Sequence, residues 1–282
     1  MRLGNLGGRA VLIRDARALD VEKASGGIFS SRTADILDRW SEFASWGASA
    51  DYSDSVAFDE QDLGAPIPEP KQIFAIGLNY HDHAQEAGLP SPEHIIVFTK
   101  FLSSLAGPNV TVELPGETVD YETELVVVIG EKAHKIDVAN GWDYVAGLSV
   151  GQDLSERTIQ RRGPAAQFSL GKSFPNFSPF GPAVVSLDEL PQKDGLRIGA
   201  TLTGPDIDGT LVVQDGNTSD MIFSVPQIVA DLSQIVTLLP GDLIFTGTAA
   251  GVGMGRGIFM KPGYRLTSTV DGIGTMINDF VA

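Results

Sequence analysis

Asp120-Tyr121-Glu122-Thr123-Glu124 runs directly into Leu125-Val126-Val127-Val128-Ile129, which sets three carboxylates at alternate positions ahead of five consecutive apolar residues. Alternate side chains of a strand share a face at about 6.6 Å spacing, so the pattern predicts a buried strand with an acidic entry. At an effective dielectric near 20, two charges that far apart repel by roughly 2 kcal/mol. A fold that gathers three of them needs a cation, a proton or open water to relieve the repulsion. A solvated strand face is the competing reading of the same residues.

Composition narrows the partners. The chain has 282 residues, 43% of them apolar, enough for one large domain and a small one. Its 36 acidic and 20 basic residues leave a net charge of -16, which argues against nucleic acid or an anionic membrane as partner. The absence of cysteine removes disulfides, thiolate catalysis, zinc-thiolate sites and iron-sulfur clusters. Any metal is therefore bound by oxygen or imidazole. Met1-Arg2-Leu3-Gly4-Asn5 lacks the apolar core of a signal peptide, and no apolar run approaches the roughly 18 residues of a membrane span, so a cytoplasmic protein is expected.

Outward from the acidic strand, the first 65 residues read as a small α+β module and residues 66–282 as the main domain. Strands are predicted at Ala10–Ile13 and Ala18–Val21. A helix is predicted over Arg32–Trp46, where Ile36, Trp40 and Phe43 recur at helical spacing behind Ser30 or Ser31 as cap. Pro66, Pro68 and Pro70 make the connection stiff and extended. Beyond Gln72, short strands punctuated by Gly, Pro and Asn outnumber helices, predicted at Tyr80–Ala87, Leu154–Arg162 and Val225–Ile235. That rhythm favours a mainly β body of the α+β class over a doubly wound sheet.

Four constellations carry chemistry. In Gln72–Gly88 an apolar strand reaches Asn79, a predicted N-cap, and a helix that stops at Gly88; His83 and Glu86, three apart, share its face. A carboxylate beside an imidazole fixes its tautomer and raises its basicity, as a general base requires. In Gly151–Gln160, Asp153 is either a helix cap completed by Glu156 or a further oxygen ligand, and Arg157 and Gln160 share a face suited to a substrate carboxylate. Lys172 follows Gly171, but position 166 is alanine where a phosphate loop needs glycine, so Lys172 reads as a lone ammonium near an anionic centre. Finally, Gly241–Gly253 is a strand flowing into a glycine-rich loop able to bring backbone N–H groups close to an anion. Gly147-Leu148-Ser149-Val150-Gly151 matches a hydrolase nucleophile elbow, yet every histidine precedes Ser149, the reverse of that fold's order.

Taken in order, IGLNYHDHAQEAG (76–88), VDYETELVVVIG (119–130), VGQDLSERTIQ (150–160), LGKSF (170–174), TSDMIFS (218–224) and LLPGDLIFTGTAAGVG (238–253) resemble the fumarylacetoacetate hydrolase family across nearly all of residues 72–270. The resemblance implies a mixed β-sandwich roll, commonly paired as a homodimer, with a divalent ion at one end. By position it places metal ligands at Glu122, Glu124 and Asp153, with Asp120 a neighbour. It places a catalytic pair on a mobile lid at His83 and Glu86, and substrate contacts at Arg157, Gln160, Lys172 and Thr248. All-oxygen ligation suits Mg2+, with Mn2+ or Ca2+ as substitutes. Pro175-Asn176 and Ala249 depart from the family pattern near the expected pocket, which bears on substrate identity.

The function so implied is a metal-dependent hydrolase that cuts a carbon-carbon bond of an acylpyruvate-type 2,4-dioxo acid through a pyruvate enolate, on a small anionic keto-acid substrate. His83 would activate water and Lys172 would help stabilise the enolate. Oxaloacetate decarboxylation and 2-hydroxyhepta-2,4-diene-1,7-dioate-type isomerisation use the same metal grip and are the alternatives. A carboxylate-binding protein that keeps the fold without catalysis is the non-enzymatic one.

Overall fold

The computed structural model describes residues 1–282 and is mixed α and β, with strands dominant. Its centre is the strand Thr123–Ile129, buried at every position and paired antiparallel with Val145–Gln152 on one side and Leu243–Thr248 on the other. Burial on both faces explains why Leu125 to Ile129 reads as an unbroken apolar run and not as an alternation. Leu125, Val127 and Ile129 point into one core with the helix Val225–Ile235 and with Ile198, Val270 and Met276 of a second, five-stranded sheet. Val126 and Val128 point the other way, against Leu3, Leu12, Ile36 and Phe43. Each of these buried side chains contributes roughly 1.5–3 kcal/mol to the folded state, so the strand is held from both faces.

The large sheet continues outward from this centre. Leu243–Thr248 pairs in parallel with Ile73–Gly77, which pairs with the edge strand Ile96–Thr99. On the other side Val145–Gln152 pairs with Ser178–Ser186, and that strand pairs with Arg2–Leu6. Strands of the first 65 residues thus extend the same sheet. Ala65, Pro66, Ile67 and Pro70 are buried in the connection. No helix is long and apolar enough to cross a membrane.

Several local expectations are corrected. The single helix over Arg32–Trp46 is two, Thr33–Leu37 and Trp40–Gly47, and neither Ser30 nor Ser31 caps it; Arg32 holds the cap position without a side-chain bond. The break at Asp38-Arg39 sets Trp40, Phe43 and Trp46 into an aromatic cluster with Phe29, and that packing overrides helical continuity. The helix expected over Leu154–Arg162 shortens to Arg157–Gln160, because Ser155-Glu156 pairs as a strand with Val119-Asp120. Glu156, not Asp153, caps it, accepting from the Ile159 amide at 2.7 Å. Strands at Arg9–Arg14 and Arg17–Asp20 and the helix Val225–Ile235 stand where the pattern places them.

The nucleophile-elbow pattern is structural. Ser149 is fully buried, and Gly147 admits the neighbouring strand: a Cβ there would lie 2.4 Å from the Val185 carbonyl oxygen. Gly147→Ala is therefore expected to force these strands apart and lower stability by roughly 1–3 kcal/mol. Urea unfolding checks this, and an unchanged midpoint would show that the sheet yields at that point.

Candidate active site

The ends of three central strands bring the acidic residues together. The pairing places Glu124 opposite both Gly151 and Thr248. Just beyond, the Asp153 amide donates to the Glu122 carbonyl at 2.9 Å. Glu122, Glu124 and Asp153 are all buried, and each offers a carboxylate oxygen within 4.8 Å of the others. Asp120 stands apart because regular pairing lapses at Tyr121-Glu122. Its carboxylate takes Arg157 Nε and Nη2 at 2.8 and 2.6 Å and the amides of Gly253 and Met254 at 2.7 and 3.0 Å.

Charge is unevenly shared among these groups. Glu122 accepts from Arg157 Nη2 at 2.6 Å and from Lys172 Nζ at 2.5 Å. Asp153 is paired with Lys172 and with the buried Lys100. Glu124 makes no salt bridge; its one hydrogen bond is from the Gly247 amide at 2.8 Å, and Lys172 and Lys100 act on it only at longer range. Burial tends to raise the Glu122 carboxyl, but Lys172 and Arg157 prevail and hold it well below the usual range. Burial, reinforced by Asp153 and then Glu122, pushes Glu124 well above that range. Lys172 does not outweigh burial and the two neighbouring carboxylates, so a further cation would favour an ionised Glu124. Three converging carboxylates and no softer donor fit a hard divalent ion such as Mg2+, Mn2+ or Ca2+.

The helix His81–Glu86 faces this cluster. His83 Nδ1 lies 3.4 Å from Glu86 Oε2, and the Gly251 amide reaches both Glu86 carboxylate oxygens at 3.1 Å. A cavity of about 320 Å³ joins His83 to Glu122, Glu124, Lys172, Gln160 and Thr248. Apolar side chains, among them Leu89, Ile96, Phe98 and Phe168, complete its wall. All the residues placed here by sequence except Glu86 and Asp153 line it directly, and those two contact the lining residues His83 and Lys172.

Some roles differ from those the sequence suggested. Asn79 does not cap the helix. Its buried amide donates to the carbonyls of Phe223 and Thr246 at 3.1 and 2.7 Å and accepts from the Phe223 amide at 2.8 Å, pinning three segments below the site. Arg157, read as a grip for substrate, spends its donors on Asp120, Glu122 and Gln160. Thr248 lines the cavity, but its hydroxyl donates to the Thr123 carbonyl at 2.9 Å. The glycine-rich loop does bind carboxylates with its amides, and those carboxylates are the protein's own: Glu124, Glu86 and Asp120. Pro175, Asn176 and Ala249 do not line the cavity. Lys100 was missed; its one sequence signal is a lysine inside the apolar stretch Ile95–Leu105, where a charge needs a buried partner.

The sequence model of the family described as Fumarylacetoacetate (FAA) hydrolase C-terminal matches residues 72–281. Human oxaloacetate tautomerase FAHD2A, a mitochondrial protein, is 40% identical over 221 residues, covering 77% of this chain and 68% of that one. A Mycobacterium smegmatis crystal structure provisionally designated HpcE is 47% identical with a TM-score of 0.93, over 100% of this chain and 99% of that one. Maleylpyruvate hydrolase from a Sphingobium species, crystallised with manganese(II) and pyruvate, is 26% identical with a TM-score of 0.75 over 100% and 99% of the two chains.

The ligand set can be tested without any turnover. Calorimetric titration with Mg2+ or Mn2+ is expected to show binding to the wild type that Glu124→Gln weakens at least roughly a hundredfold. Asp120→Asn is expected to weaken it less, because Asp120 acts through Arg157. Equal losses in the two variants would refute the assignment of the ligands.

Proposed function

The chain belongs to the fumarylacetoacetate hydrolase family, and from that premise we propose a divalent-metal-dependent enzyme that hydrolyses a carbon-carbon bond of acylpyruvate-type 2,4-dioxo acids. The observation that carries this reading is the His83–Glu86 pair and the Glu122, Glu124 and Asp153 cluster meeting at one cavity. Mg2+ is the proposed ion, and the manganese complex of the Sphingobium hydrolase supports Mn2+ as a substitute. When bound, the ion supplies Lewis-acid polarisation of the substrate's 2-oxo end.

The chain's own residues account for the proton transfers. Glu86, fixed by the Gly251 amide, accepts from His83 Nδ1 and leaves Nε2 as the basic atom. Nε2 takes a proton from water as its oxygen bonds to the carbonyl carbon remote from the carboxylate. The carbon-carbon bond then breaks, releasing an acid and a three-carbon enolate. Lys172, which lines the same cavity while paired with Glu122 and Asp153, is assigned to offset part of that negative charge, and the proton that Nε2 took from water is returned to carbon to complete pyruvate.

A second reading is keto-enol tautomerisation of oxaloacetate, favoured by the 40% identity to the human tautomerase. It uses the same base to take a proton from one of C3 and the 2-oxo oxygen and return a proton to the other, so that keto and enol forms interconvert with no bond to water. We read the enzyme as a cytoplasmic homodimer; Val97, Phe101 and Leu102, exposed beside the edge strand Ile96–Thr99, support contact with a second copy.

With Mg2+ present, fumarylpyruvate or acetylpyruvate is expected to release pyruvate, and chelator is expected to stop it. His83→Ala is expected to lower kcat by roughly 10²–10⁴-fold. Unchanged pyruvate release in that variant would sink the hydrolase reading. Ultraviolet decay of enol-oxaloacetate, run in parallel, decides for the tautomerase if it alone depends on His83.

A further inference from the structure

Three basic side chains line the cavity, and two of them are already neutralised. Arg157 bonds Asp120 and Glu122, and Lys172 bonds Glu122 and Asp153. Arg161 is the third. It stands one helical turn beyond Arg157, its amide donating to the Arg157 carbonyl at 3.2 Å, so the two side chains leave the helix on one face. Its guanidinium is exposed at the cavity and makes no ion pair; Nη2 meets only the sulfur of Met254, at 2.8 Å. Thioether sulfur is a weak acceptor and leaves the charge and most of the five donors free.

We infer that Arg161 receives a second, distal carboxylate of the substrate, so that the enzyme selects dicarboxylic 2-oxo acids over monocarboxylic ones. The inference rests on the reading that the cavity takes a 2-oxo acid, and it deepens that reading by naming the substrate class. The 2-oxo end belongs with Glu122, Glu124 and Asp153, where a divalent ion offsets their charge. Of the cationic side chains lining the cavity, only Arg161 is then left without an acidic partner for the far end. A monocarboxylate would leave the guanidinium unpaired beside Phe168 and Met254, whereas a carboxylate there gains a charge-assisted, bidentate contact. The apolar wall suits the carbon chain between the two ends.

Calorimetry with Mg2+ tests this without turnover, using 2-oxoglutarate and 2-oxopentanoate, which share a 2-oxo acid head and differ in the distal carboxylate. Wild type is expected to prefer the diacid by roughly tenfold or more. Arg161→Met, which keeps bulk without charge, is expected to bring the ratio of the two affinities close to one, and Arg161→Lys to restore part of it. A steady-state comparison of fumarylpyruvate with acetylpyruvate is expected to show the same change in the ratio of kcat/KM. Binding of both ligands with no preference in wild type, or a preference that survives Arg161→Met, overturns the inference and leaves the general reading standing. Failure of wild type to bind either ligand overturns the 2-oxo acid reading and the inference together.

Discussion

Glu124 is the group on which the site turns. It is buried, it lies beside two other carboxylates, and it has only a backbone amide to hold it. Glu122 and Asp153 share Lys172, and each has a further cation of its own, so the repulsion among the three converges on Glu124. An arrangement of this kind is unfavourable as a free-standing feature of a core. It is tolerated because the strand behind it is packed from both faces and does not swing out toward water. Stability supplied by Leu125 to Ile129 thus maintains an acidic site that the local chemistry alone would disperse.

The glycine-rich loop after Leu243–Thr248 links that site to its base. Three of its amides hold Glu124, Glu86 and Asp120, one at the ion cluster, one behind His83 and one behind Arg157. Gly247 and Gly251 adopt φ of +97° and +107°, a region side chains other than glycine rarely enter. At Gly251 a Cβ would also lie 2.1 Å from the Val213 carbonyl oxygen. A single backbone segment therefore sets the spacing between Glu124, Glu86 and the Asp120 carboxylate that holds Arg157.

Hydrolysis, tautomerisation and decarboxylation share this grip and differ in where a proton goes and whether water takes part. The reaction class is decided by what fits between His83 and the acid cluster. Arg161 and several apolar side chains line the same cavity. The family departures at Pro175-Asn176 and Ala249 lie off that wall: the Asn176 side chain donates to the Thr111 carbonyl at 3.0 Å, and Ala249 is packed in the core.

Features of short range were legible in the chain by itself. The acidic entry and apolar run of one strand, the His83–Glu86 spacing on one helical turn, the helix Val225–Ile235 and the absence of thiol chemistry all follow from periodicity, reach along a few residues or composition. The ordered motifs, compared with those of a known family, singled out Glu122, Glu124 and Asp153, whose carboxylates the fold brings within 4.8 Å of one another. Tertiary structure alone decided which charges are already paired. Arg157 and Arg161 are both arginines facing one cavity, and only folding shows Asp120 and Glu122 closing on the first while the second stays free. Asn79 passes for a cap until Phe223 and Thr246, more than a hundred residues away in sequence, take its amide. Lys100 is one lysine among many until burial forces it onto Asp153. The physical reason is common to all three: a polar group's role is set by the partner that satisfies it, and buried partners arrive from distant strands that no local pattern encodes.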